Sequence, residues 1–477
     1  MMAGAAPEAL YRGRFSLERI ALFDPLGDAG IGGYTHELAT ALHRAGSFVH
    51  VFCPPHAFAA RLQRPYVLTP GISGPELNLD ARPAGQPLPD VQSGARDGVP
   101  ALHAYLRVLR ARETRARDDT PESESATRNA PGRLPHAALS ATSTPMPGVQ
   151  TTAVAPLTRK RRISALALAR DLTDRGFDTV WSQWPTMPQI VSDLFRCAPH
   201  EGLATVHTVH NVEGHEADPS EASRLQSLYA RADALIVHSA QARMMLGPLL
   251  HDGQQRIVES RHGTYSIYPR RPESRSAVRS ALGIEPDETV LLCFGAVRPY
   301  KNIDAVIAAL AVVGDLRVRV VVAGWEYGYA AAVPGDRLGR TRALTRHAGV
   351  HDRVHLLPGP FGIEQTAELF EASDIVMLPY RASSGSGVLC MALSFGTPVI
   401  CSAVGGMGEY LPDERYGTIL DGPTASAIAA AIRRRVERGA GVDDRSVPPQ
   451  ALRWDVIVRR LISELRAPAV ERDPAVR

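Results

Sequence analysis

Lysine is almost missing from this 477-residue chain: of its 53 basic residues only Lys160 and Lys301 are lysines. Wherever a generic positive charge suffices the chain carries arginine, as biased base composition would produce. A lysine kept against that drift marks a place that wants a compact ammonium on a flexible stem. Cysteine is also scarce. Cys53, Cys197, Cys293, Cys390 and Cys401 are scattered, odd in number and without C-x-x-C spacing. That pattern excludes a disulfide framework and the common zinc modules, fits a reduced compartment, and leaves the thiols as small buried hydrophobes. Long apolar runs are missing too: nothing approaches the ~18 consecutive residues of a membrane span, and Met1 to Arg14 lacks the apolar centre of a signal peptide. A cytoplasmic protein is expected. Charge of one sign is missing as well, since 53 basic against 50 acidic residues leave +3, which gives nucleic acid no electrostatic footprint.

The length exceeds what one core usually holds, so two or three domains are expected. Residues 18–24 read as a buried strand, followed by the glycine loop Gly30-Ile-Gly-Gly33, a helix over 34–45 and a strand over 49–53. That is a βαβ unit, which implies a parallel sheet covered by helices on both faces. Strands resume at 179–181, 204–210 and 234–238. Between the two blocks, from about 71 to 158, the chain is rich in Pro, Gly, Ser, Thr and Ala; 101–110 could make a short helix, and the remainder, especially 118–156, is read as a disordered insertion with no core-forming pattern. After the 269–272 linker a second alternating block carries strands at 289–295, 317–324, 354–357, 375–378 and 397–402, with helices at 302–313, 337–348, 364–372 and 389–395. Two doubly wound α/β units in tandem place a ligand cleft between them. The expected organisation is a first domain over 1–268, a second over 269–450, and a terminal amphipathic helix within 451–467 that docks back on the first.

Candidate chemistry falls at strand ends. Gly30 to Gly33 lets backbone approach a ligand at a helix start, but it is not G-x-G-x-x-G, so a dinucleotide site has weak support. In the second block Gly295-Ala-Val-Arg298-Pro-Tyr-Lys301 follows a strand and opens a helix. Two neighbouring cations there suit a diphosphate, and the scarce lysine is one of them. Ser383-Ser384-Gly385-Ser386-Gly387-Val388 joins a strand to a helix whose free amides suit phosphate. Gly405-Gly406-Met-Gly-Glu409 sets glycines beside a carboxylate.

These residues resemble a GT-B glycosyltransferase of family 4, a retaining sugar transferase with two Rossmann-like domains facing a central cleft. The likeness spans almost the whole chain except the insertion. It implies that Arg298 and Lys301, as the family's R-x-x-K pair, bind the donor diphosphate. Gly32 and Gly33 would lie near the donor phosphates and the acceptor, and His210 of Thr208-Val-His210 near the transferred sugar. The donor loop would include Ser384, Gly385, Ser386, Gly387 and Val388. The family's Glu-x7-Glu pair is absent: Ser383 and Met391 stand at those positions. Ser386-Gly-Val-Leu389 matches the turn of a subgroup that lacks the pair, and Glu409 would partly compensate in donor binding.

The resemblance implies a nucleoside diphosphate sugar as donor substrate, no bound metal or cofactor, and a glycan or polyprenyl-linked acceptor. Its usual setting is bacterial polysaccharide or glycolipid synthesis. His207, His210 and His215, with Glu213 and Glu216, match no standard metal spacing; Asn211 and His215 are weaker candidates for acceptor contact. The basic run Arg159-Lys-Arg-Arg162 is read as a solvated helix end, with peripheral contact at the inner face of the membrane as the alternative. A sugar-nucleotide epimerase and a binding protein without catalysis are the rival functions.

Overall fold

The computed structural model describes residues 15–24, 29–53, 67–70, 165–183, 188–212, 219–250, 255–314, 316–324, 337–439 and 445–468. The insertion read near 71–158, the basic run 159–162, and Glu213, His215 and Glu216 lie outside them. The first half runs β1 (Arg19–Phe23), α1 (Ala29–Arg44), β2 (Phe48–Cys53), β3 (Val67–Pro70), α2 (Ala165–Asp174), β4 (Thr179–Ser182), α3 (Pro188–Cys197), β5 (Ala204–Val209), α4 (Pro219–Tyr229), β6 (Ala234–Val237), α5 (Ala240–Leu246) and β7 (Arg256–Glu259). The second runs α6 (Ser274–Leu282), β8 (Thr289–Phe294), α7 (Ile303–Val313), β9 (Val318–Gly324), α8 (Arg337–His347), β10 (Val354–Pro358), α9 (Ile363–Ala372), β11 (Ile375–Leu378), α10 (Gly387–Ser394), β12 (Val399–Ser402), β13 (Gly417–Leu420), α11 (Ala425–Glu437) and α12 (Trp454–Arg466).

Among the described residues the first sheet has the order β3-β2-β1-β4-β5-β6-β7 and the second β10-β9-β8-β11-β12-β13. Both are parallel, which places the central strands between helical layers; β5 and β6 are buried along their whole length. In each sheet the strand order reverses once, between β1 and β4 and between β8 and β11. Such a reversal opens a crevice at the carboxyl ends of the two central strands, where open α/β sheets bind ligands.

Helix α1 buries Tyr34, Leu38, Ala41 and Leu42, one face of successive turns, against Ile20 and Leu22 of β1 and Val49 and Val51 of β2. The same core takes in Trp454, Ile457, Val458, Leu461 and Leu465 of α12, so the end of the chain covers the first sheet. In the second domain α7 and α11 seal one face through Leu310, Val313, Ile428 and Ile432. The other face holds Phe370 of α9 and Leu389 and Leu393 of α10.

The chain crosses between the domains at 260–268 and again at 446–453. The two crossings are bonded together: the Thr264 amide donates to the Leu452 carbonyl at 3.0 Å and the Trp454 indole donates to the Thr264 carbonyl at 2.7 Å. Gly263 lies under that indole, where a Cβ would come within 2.5 Å of the ring.

Several expectations need correction. Gly30 to Gly33 is not a loop: α1 begins at Ala29, so these glycines form its first turn. Three strands escape the sequence pattern. β3 is four residues long and ends in proline; β7 begins with Arg256 and ends with Glu259, and only Val258 is buried; β13 leaves Ile419 exposed. All three are at sheet edges, where a one-sided environment removes the continuous apolar run that marks a central strand. The cysteines match their expected role: Cys53, Cys293, Cys390 and Cys401 are buried, Cys197 partly so, and none is in a disulfide.

Candidate active site

At the carboxyl end of β8 the chain turns through Gly295, whose φ of 89° favours glycine. A short 3-10 turn, Pro299–Lys301, follows and leads into α7. The turn folds Lys301 back under the strand end, where its Nζ donates to the Phe294 carbonyl at 2.7 Å and lies 6.0 Å from the centroid of the Tyr380 ring. Tyr380 follows β11, so Lys301 bridges the two strands of the switch point. Lys301 as a whole is only 8% exposed. Burial is the main reason its pKa falls to about 8; Cys293 opposes that shift and the like charge of Arg298 adds to it. Arg298, partly exposed, caps the same turn. Asn302, at φ 59°, ends it and donates its amide nitrogen to the Pro423 carbonyl at 2.7 Å.

Facing this turn is the loop from β11 to α10. The Arg381 amide donates to the Tyr300 carbonyl at 2.8 Å, tying the two loops together. Ser386 is the N-cap of α10: its Oγ accepts from the Leu389 amide at 3.2 Å and hydrogen-bonds Tyr380. Gly385 and Gly387 precede and open the helix, and Ser384 is buried. Ser383 turns its hydroxyl into its own loop, donating to the Gly385 carbonyl. Met391 is buried in the core under α10.

The first domain contributes a cluster of rings. His210 follows β5, His238 follows β6, and His262 follows β7 by three residues, all at the carboxyl edge of the first sheet. Tyr34 of α1 packs against all three, with ring centroids at 4.7, 5.2 and 4.9 Å. His238 Nδ1 donates to the Ser260 carbonyl at 2.8 Å, and His262 Nδ1 to the Gly263 carbonyl at 2.7 Å. Each therefore offers Nε2 as an acceptor; that of His262 lies 3.1 Å from the Tyr265 hydroxyl. Burial holds the imidazoles neutral, lowering His238 to about 4 and His262 to about 3. His210 is lowered by burial first, then by His238 and His262; its Nε2 is 3.4 Å from Gln183 Oε1. His207 is buried beside Tyr229.

The clusters meet at α10. A methyl on Gly387 would lie 3.1 Å from the Tyr265 hydroxyl and 4.0 Å from His262 Nε2, while one on Gly295 would lie 2.8 Å from Lys301 Nζ and 3.9 Å from Val388. Lys301, Val388, Gly387, Tyr265, His262, Tyr34 and His210 thus follow one another across the domain junction. Glu409 does not sit in the Lys301 turn: its Oε2 accepts from the Ala240 amide at 3.2 Å, at the start of α5 in the other domain. Nearby, the Gly406 amide donates to Gln241 Oε1 at 2.8 Å, and the Tyr410 hydroxyl donates to the His238 carbonyl and accepts from the His262 amide, each at 2.9 Å.

Tyr34, His238, His262, Tyr265 and Tyr410 were not read from the sequence. One signal was available: His238 follows Val237 at the end of β6 as His210 follows Val209 at the end of β5. Among the described residues no cluster of His, Cys, Asp and Glu could hold a metal ion, and no helix is long and apolar enough to cross a membrane.

Fold and junction define a class, a GT-B architecture of two Rossmann-like domains. Residues 274–445, within the second domain, match the family described as glycosyl transferases group 1. A D-inositol 3-phosphate glycosyltransferase of Mycobacterium sp. (strain KMS) is 31% identical over 251 residues, 52% of this chain and 55% of that protein. The chain thus spans about half the length of the curated relatives it matches. Sucrose-phosphate synthase from Thermosynechococcus elongatus superposes with a TM-score of 0.60 at 17% identity, covering 93% of this chain and 97% of that one. Anabaena HepE in complex with UDP superposes with a TM-score of 0.55 at 13% identity, covering 94% and 97%.

Proposed function

We propose that this protein transfers a hexose from a nucleoside diphosphate sugar to a hydroxyl of a glycan or lipid-linked acceptor, with retention at the anomeric carbon. The setting is bacterial polysaccharide or glycolipid synthesis at the cytoplasmic side of the membrane. The observation that carries this is Lys301: a buried ammonium at the switch point of a glycosyltransferase domain, beside Arg298 and across from the start of α10. Charge on the departing diphosphate is the main electrostatic change in such a step. Lys301, Arg298 and the first amides of α10, at Gly387 and Val388, are fixed partners for it, and fixed dipoles in a dry site cost no reorganisation. His210, neutral at pH 7, orients a hydroxyl of the transferred sugar. No carboxylate stands where Ser383 and Met391 are, so the acceptor attacks from the face the diphosphate leaves, with a departing phosphate oxygen taking its proton. The sequence match to an inositol phosphate glycosyltransferase and the UDP complex of a structural neighbour are consistent with this donor class.

A second reading, a nucleotide-sugar-binding protein without turnover, is favoured by the same two positions: Ser383 spends its hydroxyl on its own loop and Met391 is buried. Incubation with labelled nucleoside diphosphate hexoses and glycan or lipid acceptors, with product anomers read by NMR, decides between them. Transfer with the donor's anomeric configuration supports the first. Inversion removes the retaining mechanism, binding without turnover supports the second reading, and donor conversion without acceptor makes the protein an epimerase.

A further inference from the structure

Glu37 is a carboxylate that the donor and acceptor chemistry above leaves unused. It lies on α1 one turn after Gly33 and is 4% exposed. Its partners are in the segment that crosses between the domains. Oε1 accepts from the Ser266 amide and from the Ile267 amide at 3.2 Å, and the Ser266 hydroxyl is 2.9 and 3.0 Å from the two carboxylate oxygens. Gly33, on the same helix face, is pressed on the same segment: a methyl there would meet Tyr265 at 3.1 Å and Ile267 at 3.3 Å. A glycine that allows close approach and a carboxylate four residues later that bonds two amides form a two-point attachment. The attached segment carries Tyr265, which meets both His262 and the start of α10. On its neighbouring face α1 carries Tyr34, the centre of the histidine cluster.

A carboxylate bonded to backbone amides fixes position more tightly than packing alone, because its acceptors are charged and its donors belong to the main chain. Shielding it from water favours the neutral acid and raises its pKa, while the Ser266 and Ile267 donors pull the other way. Those bonds offset part of the cost of burying the group here. Resting on the transfer reaction proposed above, we propose that Glu37 is a positioning residue: by holding the first turns of α1 to the interdomain segment, it sets the register of Gly32, Gly33, Tyr34 and His210 against Gly387 and Lys301. It touches neither the diphosphate turn nor the histidines directly, so its loss should spare donor binding and impair transfer.

The test compares the full-length parent with Glu37→Ala and Glu37→Gln. Three quantities are read: kcat and KM for transfer, the affinity for UDP, ADP and GDP by calorimetry, and amide hydrogen exchange over residues 33–38 and 265–268. Glu37→Ala is expected to lower kcat at least tenfold, leave the diphosphate Kd within twofold, and speed exchange in both segments. Glu37→Gln keeps one oxygen for the two amides and should recover kcat to within threefold of the parent, which a general loss of stability would not allow. The inference is overturned if Glu37→Ala keeps kcat within twofold, if diphosphate affinity falls as far as kcat, or if Glu37→Gln behaves like Glu37→Ala. Should the parent itself transfer no sugar, the reaction proposed above fails. Exchange then decides the attachment alone: unchanged rates over 33–38 in Glu37→Ala refute it, and faster rates there, reversed in Glu37→Gln, uphold it.

Discussion

Single residues divide the labour of positive charge. Arginine serves as a clasp for backbone carbonyls: Arg279, 5% exposed, donates to Ala372 at 2.9 Å, to Glu288 at 3.0 Å and to the Asp374 carboxylate. Arg353 likewise reaches the carbonyls of Gly314, Leu316 and Val318. A planar fork with five donors reaches acceptors spread more widely than the three donors of a compact ammonium can. Arg279→Lys should therefore leave buried acceptors unpaired and cost roughly 1–3 kcal/mol, measured by denaturant unfolding. An equal effect from Arg459→Lys, on the exposed face of α12, would contradict this. Lys301 was legible because lysine is so rare in this chain and because it follows a strand. The tyrosines of the histidine cluster were not, since Tyr34, Tyr265 and Tyr410 come from three distant segments and nothing local in their sequence distinguishes them from core tyrosines.

Among the elements, central strands and long amphipathic helices were read closely, because burial on both faces or on one stripe writes itself into the apolar pattern. The strand 375–378 coincides with β11, and the helix expected over 364–372 begins one residue earlier, at Ile363. Edge strands were missed where one face is wet. The start of α1 was misplaced for another reason: Gly30, Gly32 and Gly33 argue against a helix by propensity, yet tertiary contact demands small residues there, as the tight fit of Gly33 on Tyr265 demonstrates. Helix α12 belongs to the packing of the first domain although it ends the second half of the chain. Leu461, 1% exposed in that core, is expected to cost about 2–5 kcal/mol on replacement by alanine. Thermal or denaturant unfolding would reveal it, and a loss under 1 kcal/mol would mean α12 is not part of the cooperative core.

At the scale of the whole molecule, two reversals in strand order are brought face to face, and the charge that matters is local. The overall balance of +3 conceals a buried ammonium on one side of the junction and a group of neutral imidazoles on the other. The sequence located the cationic side from the βα loop that carries it; the neutral side depends on how β5, β6 and the interdomain segment are arranged in space, which no local spacing records. In the ligand-free protein the Lys301 pKa, lowered to about 8, means that the ammonium is already charged below that pH and must take up a proton above it to hold a diphosphate. Calorimetric titration of UDP, ADP and GDP into the parent and Lys301→Ala, from pH 7 to pH 10, is the most direct test. The parent should bind at least one of them with an affinity that is level up to about pH 8 and then falls, approaching tenfold per unit, while Lys301→Ala should bind at least tenfold more weakly at pH 7. Equal affinity of the two proteins at pH 7, or an affinity of the parent that stays level to pH 10, would contradict the assignment of Lys301 to the donor diphosphate.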